Sequence, residues 1–397
     1  MSAPREGSRS RTTLYAKWRK RLREFVLTYV GPLLLALVCG GVLMWAAGYP
    51  PIESYGALVK GSLTPNRIPE TILLTTPLIF TGLAVVFAFQ GGLFNIGGEG
   101  QLLIGGFVAA WIGFTFQLPT ALHLPLALAG GAVAGGLAGL LPGYLKARLG
   151  AHEVITTIML NHVISNFTYY LVLYPFAVER AMPQTARVAP TAELPRLFPN
   201  SLASASLFVA LLTAGMVAFL LWRTTLGFEV RAIGSNPVAA RHKGVPVARR
   251  AILAMTISGA IAGLGGAGET LGTYRRFIQA FSPGYGFDGI AVALVAGLNP
   301  LGVVPAAVMF GILRAGGTYM DQFTDVPAEF IVVIQALVIL FVVAPQLFKQ
   351  AIAWLRRVPS SRRLGRMANQ LGERVRTGAT PAADCTSSDA RGGDVGP

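Results

Sequence analysis

Apolar runs broken by short polar or glycine-rich stretches recur along the middle of the chain. A helix needs about 20 apolar residues to cross the hydrocarbon core of a bilayer. Windows that meet or approach this length are 29–47, 68–89, 101–117, 123–145, 153–176, 205–222, 251–271, 287–299, 302–320 and 328–347. The pattern predicts an all-α polytopic membrane protein with about ten transmembrane helices. The window at 287–299 is short and ends at Asn299-Pro300, as a half-helix or re-entrant segment would, so eight or nine spans also fit.

Composition strengthens this reading. Of 397 residues, 53% are hydrophobic and 13% charged, too little charge for the surface of a soluble protein. Forty-seven glycines suit helices packed backbone to backbone in lipid. Cys39 falls in an apolar window and Cys385 in a polar stretch, so no disulfide framework or zinc site is expected. The net charge of +15 would suggest nucleic acid in a soluble chain, but here its location decides its meaning. Lys and Arg gather in residues 1–24, at Lys146 and Arg148, in 223–250 and in 348–397. All four stretches fall on one side if the windows alternate, which the positive-inside rule makes cytoplasmic, together with both termini.

The chain thus divides into a basic cytoplasmic arm at 1–24, a transmembrane domain at 25–350 and a basic, largely disordered cytoplasmic tail at 351–397. The first apolar stretch is longer than a signal-peptide core and has no A-x-A site after it, so it reads as a retained span. The tail is expected to contact anionic membrane lipid, not nucleic acid. Five windows precede the loop at 177–204 and five follow it, so two weakly related halves would enter the membrane inverted. Each half has a glycine-rich break at its third window: Phe94-Asn95-Ile96-Gly97-Gly98-Glu99-Gly100 and Gly286-Phe287-Asp288-Gly289. Paired interruptions of this kind point to a transport pathway.

Catalytic motifs fail on inspection. Gly263-Leu264-Gly265-Gly266-Ala267-Gly268-Glu269-Thr270 approaches a phosphate-binding loop, but glutamate replaces the required lysine. Its glycines, with Gly259 before it and Gly131, Gly135 and Gly139 elsewhere, are expected to be packing surfaces. The histidines His123, His152, His162 and His242 form no metal-ligand pattern, and His162 is expected to make an interhelical hydrogen bond. Ionisable and amide side chains in or beside apolar windows are costly unless they serve a function, which makes Asn95, Glu99, Gln101, Glu269 and Asp288 candidates for lining the pathway. Arg180, Arg187, Arg196, Arg275 and Arg276 fall on the outer side, either as solvated loop charges or as contacts for an acidic partner.

The loop at 223–250 carries a different signal. Ser235-Asn236-Pro237 supplies a capping residue and a first-turn proline, and Gly244 supplies a left-handed stop. The short helix between them cannot span a membrane. Its Ala239 and Ala240 leave room for another surface, and Arg241 and Lys243 suit an acidic groove or lipid headgroups.

The segment Arg231-Ala232-Ile233-Gly234-Ser235-Asn236-Pro237-Val238-Ala239-Ala240-Arg241-His242-Lys243-Gly244 resembles the coupling helix of ATP-binding-cassette importer permeases of the sugar, nucleoside and branched-chain amino-acid group. Gly92-Leu93-Phe94-Asn95-Ile96-Gly97-Gly98-Glu99-Gly100-Gln101 and Ser282-Pro283-Gly284-Tyr285-Gly286-Phe287-Asp288-Gly289-Ile290-Ala291-Val292-Ala293-Leu294 are more similar to the nucleoside and simple-sugar branch. The likeness covers about residues 25–350, with Lys243 standing where the family more often has a neutral residue. The resemblance implies a multi-pass permease of the bacterial plasma (inner) membrane that catalyses no covalent chemistry and holds no cofactor. ATP would be bound by a separate ABC ATPase subunit, seated against Gly234, Asn236, Ala239, Ala240, Arg241 and Gly244. A second permease subunit, identical or different, and a solute-binding protein or lipoprotein are the other implied partners. An ion-coupled secondary transporter using Glu99, Glu269 or Asp288 is the alternative, and nucleoside and sugar are not separated at this stage.

Overall fold

The backbone of an apolar segment has no water to bond, so it satisfies its own amides by becoming helical. The computed structural model describes residues 31–178, 182–327 and 329–343, all within the unit Met1–Pro345. The basic arm at 1–24, Arg180, the tail at 351–397 and the whole second unit, Gln346–Pro397, lie outside the described residues.

Helices form over the apolar windows. They are α1 (Gly31–Ala46), α2 (Pro51–Leu63), α3 (Ile68–Gln90), α4 (Gly98–Thr115), α5 (Thr120–Leu149), α6 (Glu153–Leu173), α7 (Ser206–Arg223), α8 (Thr225–Ser235), α9 (Pro237–His242), α10 (Val247–Gly268), α11 (Tyr285–Val295), α12 (Pro300–Phe323) and α13 (Glu329–Val343). A π-helical turn, Glu269–Thr273, continues α10. Five of these helical segments are long and apolar enough to cross a membrane: Ile68–Gln90, Thr120–Leu149, Ser206–Arg223, Val247–Thr273 and Pro300–Phe323. No strand forms among the described residues; two isolated bridges join Gln184 to Ile278 and Arg196 to Ser204.

Helix α3 is the axis of the bundle, and every residue from Thr75 to Ala88 is buried. Its Gly82 lies against Val292 of α11 and Val303 of α12, while its Phe80 covers Gly265 of α10. Helix α2, at 13 residues with Glu53 and Lys60, is too short and polar to form a membrane-length apolar run. Proline at its first turn starts it, and Gly61 lets it lie directly on Tyr319 of α12.

Helices α4, α5 and α10 share a glycine seam. Gly105 of α4 meets the Gly263 backbone, Gly135 of α5 meets Gly259 and Gly263, and Gly139 meets the Met255 carbonyl. These are the packing surfaces that the glycine spacing predicted. Without side chains between them the backbones approach closely, which compensates for the weak drive that lipid gives to helix association.

A Cβ at Gly135 would overlap the Gly259 carbonyl oxygen, whereas Gly215 of α7 has open space around it. Gly135→Val is therefore expected to cost about 1–3 kcal/mol through overpacking. It should lower the thermal unfolding midpoint in detergent, and Gly215→Ala should leave it unchanged.

Candidate functional site

The first glycine-rich break lies between α3 and α4. Helix α3 stops at Gln90, and Gly92 turns the chain with a φ of +69°, a left-handed conformation that costs glycine little. The segment then folds back into the bundle. The hydroxyl of Ser258 on α10 donates to the Ala84 carbonyl at 2.6 Å and accepts from the Asn95 amide at 2.8 Å, which places Asn95 beside α3 more than a turn before its end. The Asn95 and Gln101 amides pair reciprocally, at 2.8 and 3.1 Å, and Asn95 Oδ1 also accepts from the Gly97 N–H at 3.0 Å. Both side chains are buried with their hydrogen bonds spent on protein. Asn161 of α6 closes the ring, accepting from the Gly100 N–H and donating to the Ile96 carbonyl, each at 2.9 Å.

The second break meets the first. Gly284, with a φ of +93°, turns the chain into α11, and Gly286 lies so close to Gly98 and Glu99 that a Cβ there would overlap the Glu99 backbone nitrogen. The Glu99 carboxylate accepts from the Gly286 N–H at 2.7 Å and from the Ser282 side chain. The Tyr285 N–H is taken by the Ser282 hydroxyl and the Phe287 and Asp288 N–H groups by the Gly284 carbonyl, so the carboxylate takes the remaining amide of the first turn of α11.

Two turns of charge complete this meeting point. Asp288 of α11 pairs with Arg314 of α12 at 2.8 Å. Arg314 also donates to the Pro283 carbonyl at 2.9 Å and sits 5.0 Å from the centre of the Tyr285 ring. Arg314, Asn161, Ser258 and Tyr285 are members of the site that the sequence reading passed over. Arg314 had a usable signal, because an ionisable residue inside an apolar window is suspect whatever its sign. Glu269 stands apart from the ion pair. It is buried on the π-helical turn, where the Thr273 side chain hydrogen-bonds its carboxylate.

At another place in the fold, α8 and α9 form a short angled pair. Asn236 separates them, its Oδ1 accepting from the Val238 and Ala239 N–H groups at 3.0 Å, and Gly244 turns the chain after α9 with a φ of +83°. Asn236, Val238, Ala239, Arg241 and Gly244 are exposed. Ala240 is buried against its own chain, so it seats the helix and does not offer room to an incoming surface. Gly234 packs on the Gln90 carbonyl and on Gly92. The short helix is therefore joined mechanically to the start of the first break.

Two further expectations change. Glu193 binds Arg187 at 3.0 Å and Arg275 at 2.9 Å, and Arg276 donates to Gln184, so Arg275 and Arg276 tie 275–278 to 184–193, while Arg187 pairs within its own loop and stays 56% exposed. His162 makes no interhelical hydrogen bond among the described residues and faces out of the bundle.

Comparison with known proteins gives a consistent picture. Residues 68–343 match a family described as "Branched-chain amino acid transport system / permease component". The guanosine ABC transporter permease protein NupP of Bacillus subtilis (strain 168) is 41% identical over 330 residues, covering 81% of this chain and 94% of that protein. The nucleoside ABC transporter permease protein NupB of Lactococcus lactis subsp. cremoris is 36% identical over 338 residues, covering 82% and 91%. The glucose ABC transporter permease protein TsgB13 of Haloferax volcanii is 36% identical over 335 residues, covering 81% and 88%.

Removing Arg314 leaves Asp288 without its cation. Arg314→Leu is expected to cost about 2 kcal/mol, in the range of hydrogen bonds to charged groups. Thermal unfolding of the single and double variants with Asp288→Asn checks this, and the double variant should lose less than the two single losses added together.

Proposed function

The chain belongs to the branched-chain amino acid transport system / permease component family, and from that membership we propose that it is the permease subunit of an ATP-driven importer for nucleosides or simple sugars. The relative of 41% identity, a guanosine ABC transporter permease matched over 94% of its length, carries this reading. A solute-binding protein or lipoprotein delivers the solute, and two permease subunits pass it across the plasma membrane by alternating access. In each subunit, about ten crossings in two inverted halves leave both termini in the cytoplasm. The clustering of Lys and Arg supports that orientation.

Helix α9 docks in a groove of a separate ATPase subunit, which binds and hydrolyses the ATP. Its exposed Ala239 and Arg241, its Asn236 cap and its Gly244 stop suit that contact, and the buried Ala240 keeps the helix seated on the permease. Force on α9 passes through Gly234 to Gln90 and Gly92, then to the Asn95–Gln101 brace, and through Glu99 to Gly286 and α11. Asn95, Gln101, Glu99 and Asp288 act on the pathway by holding or releasing the two breaks, and Glu269 supports the adjoining turn. A rearrangement there exposes the pathway to one side and then the other.

Arg241→Glu and Ala239→Asp, both on the exposed face, are expected to reduce ATP-driven uptake at least about tenfold and to weaken co-purification of the ATPase, with the unfolding midpoint unchanged. Ala240→Trp should lower the midpoint because it overfills a buried position. Uptake in proteoliposomes containing the permease with and without its ATPase checks the assignment. Transport driven by an ion gradient alone would establish a secondary carrier in its place.

A further inference from the structure

The connection between α3 and α4 reaches α11 at both of its ends. At the start of α11, the Glu99 carboxylate takes the Gly286 N–H at 2.7 Å, and Gly98 and Glu99 lie against the Gly286 backbone. Beyond its end, the side-chain amide of Gln90 donates to the Leu298 carbonyl at 2.9 Å. Gln90 is the last residue of α3 and Glu99 lies in the first turn of α4, so one short segment grips the whole of α11 and the turn that follows it.

That turn is costly to hold. Gly297 and Leu298 both take left-handed φ values, +62° and +58°. Gly297 ends α11 at little cost: its N–H bonds the Leu294 carbonyl and the Leu298 N–H bonds the Ala293 carbonyl, each at 3.0 Å. Leu298 carries a Cβ, which makes the left-handed region unfavourable. Directly after it, Asn299 caps α12 by accepting from the Leu301 and Gly302 N–H groups at 3.0 and 3.4 Å. A side chain from α3 thus holds a strained residue on which the start of α12 depends.

The backbone of Gln90 is in turn pinned under α8. A Cβ at Gly234 would overlap the Gln90 carbonyl oxygen, and one turn earlier Val230 packs beside Gly91. Helix α8 leads into α9 through Asn236. At Gly234 the contact is backbone on backbone, with no side chain to absorb a displacement, so Gln90 moves with α8.

We propose that Gln90 is a positioning residue for transport, passing the displacement of α8 and α9 to the α11–α12 turn through its hydrogen bond to Leu298. With Glu99 holding the other end, α11 is carried bodily and does not tilt about one fixed end. The strain at Leu298 makes the contact two-state: while Gln90 supplies the donor the turn is kept, and without it a less costly conformation is open to the turn. The proposal rests on the importer reading and adds to it a route that bypasses Asn95 and Gln101.

Uptake and ATP hydrolysis, measured together in proteoliposomes holding the full chain with its partner subunits, test it. Gln90→Glu keeps the shape and loses the donor, and Gln90→Asn keeps the amide but is one methylene short. Each is expected to lower uptake about tenfold, the worth of one hydrogen bond, while hydrolysis stays within about twofold. Gln90→Asn decides the matter if Gln90→Glu does not assemble. Gln90→Lys, whose ammonium can donate to the same carbonyl, should keep at least about half of the uptake. An amide with a merely structural role would lower uptake, hydrolysis and the unfolding midpoint together. Normal uptake by the glutamate and asparagine variants, equal losses of uptake and hydrolysis, or a lysine variant no better than the glutamate one overturns the proposal. If the unmodified complex shows no ATP-driven uptake of any nucleoside or sugar, it is the importer reading that fails.

Discussion

A helix broken inside a membrane must find new partners for the amides and carbonyls it frees. This requirement governs the centre of the protein. The break after α3 is repaired by its own Asn95 and by Gln101, Asn161 and Ser258, drawn from α4, α6 and α10. The break before α11 is repaired by the carboxylate of Glu99, which belongs to the first. The second interruption is therefore tolerable because the first is present. Side chains that look like pathway lining in the sequence are the braces of the two breaks.

Around this polar knot the bundle has two kinds of contact. The glycine seam of α4, α5 and α10 is backbone on backbone and leaves little room for sliding. The contacts of α11 with α4 and α12 add one carboxylate, one ion pair and a ring under a guanidinium to the close approach of Gly286 to Gly98 and Glu99. Polar contacts that can exchange partners suit the mobile part of a two-state machine, and an interlocked seam suits its fixed part. The knot lies where these parts join. It is tied to the exposed α9 through Gly234 and to α6 through Asn161.

Much of this was legible in the sequence. Apolar length located the five helical segments long and apolar enough to cross a membrane, Asn236 and Gly244 marked the ends of α9, and the spacing of Gly131, Gly135, Gly139, Gly259 and Gly263 revealed the seam. The pairing of the two glycine-rich breaks in the sequence preceded their contact in space. What was hidden depended on direction. Helix α6 is polar on both sides, with Thr157 and Asn161 within and His162 and Asn166 without, so no periodicity could tell which side His162 takes. Adjacent alanines at 239 and 240 point opposite ways for a similar reason: a helix this short has no amphipathic pattern to orient it. Arg187 and Arg275 looked free because their shared partner, Glu193, is remote from Arg275 in sequence.

The brevity of α11 bears on how the polypeptide is made. At 11 residues it rises about 16 Å, roughly half the hydrocarbon thickness, so it is a weak insertion signal by itself. The next helix, α12, is long enough but carries Arg314, while α11 carries Asp288. A hairpin of the two helices would enter the bilayer with these charges paired. Their order in the chain and their ion pair suit them to insertion as one hairpin.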